Sequence, residues 1–129
     1  MKTHHKAALG VAAGRTLLGI YALADPGRPA RSWLGSHADD TVAAVFGRTL
    51  GARDLALGAG AVWALAGRPT DRPVVAAWVA AGAAADAADA AATLAVWGRL
   101  PSPWKQLTVA AALASMVTGG VVAGLVAKG

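Results

Sequence analysis

Cysteine and glutamate are both missing from the 129 residues of this chain. Without cysteine there is no disulfide and no thiolate metal site. All seven acids are aspartate, so the Glu–Lys pairs that commonly solubilise exposed helices are unavailable. Charge is scarce as well, at 15% of residues against about 25% in an ordinary soluble domain. The net charge of +5 is scattered. No basic block interleaved with aromatics points to nucleic acid, and anionic lipid headgroups are the simpler partner. The chain also lacks a Gly-x-Ser-x-Gly elbow, a P-loop and a dinucleotide fingerprint. The long, glycine-punctuated aspartate pattern of lipid-headgroup transferases is missing too. An enzyme is therefore not the expectation, and no cofactor is implied.

What the chain has is apolar surface: 56% hydrophobic residues and a mean hydropathy of +0.48. Alanine supplies 35 of these residues and is nearly indifferent between water and lipid. An Ala-rich soluble helical protein is therefore the rival reading, and high-GC codon usage is a neutral source of the same bias. The length fits one domain. Within it, four apolar stretches are separated by short polar segments: about 7–24, 42–66, 74–98 and 107–127. Asp25-Pro26-Gly27-Arg28-Pro29 stops the first, Gly67-Arg68-Pro69 ends the second, Pro73 precedes the third, and Pro101 and Pro103 precede the fourth. Each stretch approaches or exceeds the ~20 residues that cross a bilayer as a helix. The expectation is an all-α, four-helix transmembrane bundle with up-down topology, in a single integral membrane domain.

The five tryptophans favour lipid over water. Trp63 and Trp78 fall at one end of such a bundle, and Trp33, Trp97 and Trp104 at the other, where interfacial rings belong. The first stretch also has the parts of a signal peptide, with Lys2 and Lys6 ahead of it and Ala22-Leu23-Ala24 as a cleavage-like end; Arg15 interrupts its apolar core. Orientation is weakly marked: five basic residues lie on the N-terminal side and four on the other. Cytoplasmic termini are the expectation.

Charge inside the stretches is the notable feature. Arg53-Asp54 sits at the middle of the second, Asp86 at the middle of the third with Asp89 three residues on, and Arg15 at the middle of the first. An unpaired charge at the bilayer centre costs at least ~2.5 kcal/mol on insertion scales, so mutual pairing is expected. In an antiparallel register centred on residue 70, Arg53 comes level with 87, near Asp86, and Arg48 with 92, near Asp89; Asp54 comes roughly level with Arg15. The candidate midplane network is then Arg15, Arg48, Arg53, Asp54, Asp86 and Asp89, three of each sign. Adjacent Arg53 and Asp54 point about 100° apart, so the second helix can face the first and third together. Asp86 and Asp89 share a face with Gly82 and Thr93. The fourth stretch brings Ser115, Thr118, Gly119 and Gly120. Gly10/Gly14, Gly47/Gly51 and Gly120/Gly124 have the four-residue spacing of small-residue helix packing. A metal is not expected, because the arginines beside Asp86 and Asp89 repel cations; His4 and His5 lie near a terminus, and His37 stands alone.

Gly51-Ala52-Arg53-Asp54-Leu55-Ala56-Leu57-Gly58, followed by Asp86 and Asp89, resembles a group of small bacterial multi-pass membrane proteins of unknown function. Gly14-Arg15-Thr16-Leu17-Leu18-Gly19 ahead of Asp25-Pro26 fits the same resemblance, which implies the bacterial inner membrane and no particular activity. The size is also that of the small four-helix drug exporters, but those use a glutamate in the first helix, where this chain has Arg15. Two functional readings follow. In the first, a non-enzymatic membrane component uses its charge network to hold the bundle or to dock a partner, either a second copy or another membrane protein. In the second, a small transporter or proton-linked carrier uses Asp86 and Asp89.

Overall fold

The computed structural model describes residues 2–67 and 70–129; Arg68 and Pro69, at the expected end of the second stretch, lie outside the described residues. Those described are all helical, with no strand. The helices are α1 (Thr3–Ala24), α2 (Gly27–Leu34), α3 (Thr41–Ala66), α4 (Arg72–Ala95) and α5 (Lys105–Lys128). Two 3₁₀ turns, Gly35–Asp39 and Trp97–Arg99, complete the order.

Local chemistry sets these bounds. α1 ends at Ala24, where Pro26 offers no backbone donor and Asp25 closes the turn on Tyr21. The short helix α2 was not anticipated from the Asp25–Pro29 stop. It starts directly after Pro26, and Pro29 sits in its first turn, where a missing N–H breaks no intrahelical bond. Arg28 and Arg31 lie on its exposed face and Ala30 on its buried one. The Asp40 side chain accepts from the Val42 N–H at the start of α3, and that of Asp71 from the Val74 N–H at the start of α4. The third expected stretch is α-helical only to Ala95; its last residues tighten into the 3₁₀ turn.

The four long helices run alternately in opposite directions. α1 lies along α3 and α4 along α5, while α3–α4 and α1–α5 contacts join the two pairs. Three of these helices are long and apolar enough to cross a membrane: α1, α4 and α5, with hydropathies of 1.5, 1.3 and 2.0. α3 is longer, at 26 residues, but Arg48, Arg53 and Asp54 keep it out of that group.

Size is distributed inside-out. Apart from Pro26 and glycines, every buried apolar residue among those described is Ala or Val, whereas Leu17, Phe46 and Trp63 are 67%, 64% and 73% exposed. The core, built on Ala8, Ala12, Ala61, Ala64, Val75, Val79, Val122 and Val126, lies at the end of the molecule where α1 and α4 begin and α3 and α5 finish. Small residues let the backbones approach. A Cβ on Gly51 would lie 3.0 Å from that of Ala22, and one on Gly19 or Gly58 would collide with the facing backbone. Two of the expected glycine pairs behave otherwise. A Cβ on Gly10, Gly14, Gly120 or Gly124 would meet nothing within 4 Å, so these pairs do not pack helices within this chain. The working contacts are Gly51 against Gly19 and Ala22, and Gly58, seven residues on, against Thr16 and Ala12.

Candidate functional site: a charge layer lining a cavity

Arg15 projects from α1 across the width of the molecule. Its path is open because α4 carries Gly82 there: a Cβ at that position would stand 2.8 Å from Arg15 Nε. The guanidinium donates from Nη1 to Asp54 Oδ1 at 2.9 Å and from Nη2 to Asp86 Oδ2. Arg53 grips Asp89 with both terminal nitrogens, at 2.9 and 2.8 Å, and also donates to Asp54 Oδ1. Ser115 of α5 donates to Asp86 Oδ2 at 2.7 Å. All four long helices therefore contribute to one connected layer. The Arg15, Asp54 and Asp86 side chains retain only 9%, 12% and 11% of their accessibility.

The layer contains five of the six expected charges, with different partners in two cases. Arg53 pairs with Asp89 rather than Asp86, whose place is taken by Arg15. The pairwise register treated neighbouring helices alone and left out an arginine reaching past Gly82 to α4. Arg48 is outside the layer: it is exposed and makes no ion pair among the described residues. Five residues before Arg53 is about 140° around the helix, which turns Arg48 away. Removing it changes the charge balance. Two guanidiniums face three carboxylates, so the formal charge of the connected layer is negative instead of zero. Asp54 Oδ2 and Asp86 Oδ1 accept no hydrogen bond among the described residues, and neither is a buried orphan.

Those two aspartates form part of the wall of a cavity of about 1260 Å³. Its sides are apolar, with Leu18 of α1, Phe46 and Leu50 of α3, and Leu107 and Ala111 of α5 among the lining residues. The charge layer is part of its lining, which continues past Arg15 to Gly10 and Val11 of α1 and past Ser115 to Thr118 of α5. α2 lies over one end and contributes Pro29 and Trp33. Trp33 Nε1 donates to Thr93 Oγ1 at 2.8 Å, and Thr93 donates to the Asp89 carbonyl, linking α2 to the layer. Ser102 Oγ donates to the Ser32 carbonyl at 2.7 Å and so fixes α2 to the entrance of α5. Sequence position alone marks Trp33 as interfacial and names no partner; α2, which follows the proline stop, aims it at Thr93.

No trio of His, Asp or Glu among the described residues is grouped to hold a metal ion. His37 lines the cavity, and His4 and His5 stack edge to face near the α1 start, away from the layer. In comparisons with known proteins, no family model, no curated protein and no solved structure matches this chain.

Proposed function

We propose that this chain is a four-span membrane protein whose charge layer lines a small-molecule binding site, as in a carrier. The inside-out distribution of residue size supports the membrane: large apolar side chains face outward and the interior holds Ala, Val, Gly and charge, the reverse of a soluble core. α3 spans with the others on this reading. Arg53 and Asp54 turn inward to partners, and Arg48, about two turns from the helix start, reaches the headgroups along its own stem. The resemblance to small bacterial multi-pass proteins is the reason for proposing the bacterial inner membrane.

One observation carries the ligand site. An open cavity with largely apolar walls reaches the buried carboxylates of Asp54 and Asp86. Intramembrane ionisable residues beside such a space mark substrate pathways in membrane proteins. The natural absence of cysteine makes the test direct. Ala111→Cys, on the cavity wall, should react with a small membrane-impermeant thiol reagent from one side of the membrane only, and Ala123→Cys, in the core, from neither. An unreactive Ala111→Cys would mean a closed interior and would remove the ligand reading.

The second reading, a purely structural layer, draws on the way Arg15 ties α1 to both α3 and α4. The double variant Arg15→Leu/Asp86→Leu separates the two. A structural layer predicts a stable protein that keeps its cellular role, and a ligand site predicts a stable protein that loses it.

A further inference from the structure

Resting on the binding-site reading above, we infer that the cavity takes a monovalent organic cation with an apolar body. Its ammonium would sit against the open oxygens of Asp54 and Asp86. The charge count comes first. Both guanidiniums are occupied: Arg15 by Asp54 and Asp86, Arg53 by Asp89 and Asp54. An anion entering the cavity would meet guanidiniums already paired with carboxylates, in a layer whose formal charge is negative. A neutral ligand would leave that charge unbalanced in a poorly solvated space. A monocation matches it and supplies donors to two acceptors that have none.

The geometry agrees. Asp54 and Asp86 are each only 8% exposed, yet each keeps one carboxylate oxygen without a partner, and both residues line the cavity. Arg15 holds the two carboxylates on one guanidinium, so both belong to one stretch of the cavity wall. The walls are largely apolar, with Leu18, Leu50, Leu107 and Ala111 among them, and suit an alkyl or aryl body. The basic side chains of α2 do not oppose entry. Arg28 and Arg31 are 76% and 65% exposed and are engaged by Asp25 and Asp39.

The test uses the full chain in nanodiscs of uncharged phosphatidylcholine at neutral pH, with three probes of equal chain length: octylammonium, octanol and octanoate. Saturable binding is read after subtracting uptake by empty discs. Octylammonium should saturate, with octanol and octanoate weaker by about tenfold or more, the scale of one charge-assisted contact. Asp86→Asn should lose the preference for the ammonium, as should Asp54→Asn, which serves if the first variant does not fold. Ala114→Trp, which fills the cavity without touching a charge, should lose saturable binding of octylammonium. Equal binding of octylammonium and octanol, or stronger binding of octanoate, would overturn the cation inference while leaving a ligand cavity in place; the excess charge would then be carried by a proton. Saturation by none of the three would overturn the cation inference. Thiol labelling of Ala111→Cys then reports separately on the cavity itself.

Discussion

Arg15 is the residue on which the interior depends most. Among the described residues it is the one side chain that bonds carboxylates from two other helices, and its removal leaves Asp86 without a cationic partner. Arg15→Ala should therefore destabilise the protein by about 3–5 kcal/mol, the cost of breaking a buried pair, as measured by equilibrium unfolding in mixed micelles. Arg15→Leu with Asp86→Leu should recover much of that loss, and strict additivity of the two single changes would mean that they do not interact. Gly82→Ala tests the same contact from the other side. Its methyl group would stand 2.8 Å from Arg15 Nε, and the displacement should cost about 1–3 kcal/mol. Arg48→Ala is the control: an exposed residue without an ion pair should change stability by less than about 0.5 kcal/mol.

At the scale of elements, the α1–α3 contact rests on glycine and the outer helix faces do not. Gly58→Ala places a methyl against the Thr16 backbone and the Ala12 carbonyl, so it should loosen the pair by more than about 1 kcal/mol. Gly120→Ala and Gly124→Ala meet open space and should each stabilise α5 by roughly 0.5–1 kcal/mol through the lower entropy of the unfolded chain. Reversal of these signs would show that the face of Gly120 and Gly124 is covered by another chain. α2 is held by few contacts. Trp33→Phe removes its hydrogen bond to Thr93 at 2.8 Å and should cost about 1 kcal/mol. It should also quicken thiol labelling at Ala111→Cys, because α2 covers that end of the cavity.

The whole molecule is an alternation of four long helices, which returns the chain to the side where it began. Lys2 Nζ donates to the Gly129 carbonyl at 2.9 Å, so the two ends are already adjacent. Reporter fusions at either end should report the same side of the membrane, and the protein should resist alkaline carbonate extraction. Opposite sides would mean that one helix does not span. α3 is then the first suspect, because its charges keep it less apolar than α1, α4 and α5. Recovery in a soluble fraction without detergent would restore the Ala-rich soluble reading.

Helix positions were legible in the sequence because their causes are local. Prolines, capping aspartates and the length of apolar runs act within a few residues, and α1, α3, α4 and α5 begin and end near the expected bounds. Five of the charges that meet were legible as well, since their depth along each helix can be counted. What the tertiary structure alone decided is rotation and reach. Whether Arg48 faces inward, whether Arg53 meets Asp86 or Asp89, and whether Gly82 clears a path for Arg15 depend on how each helix turns about its axis. That turning is set by close contacts such as Gly19 against Gly51 and Leu55. The cavity has the same origin. It is the space left where helices that touch closely at one end are kept apart at the other, and no single stretch of sequence contains it. The excess negative charge follows from these rotations, because it appears only once Arg48 is turned outside.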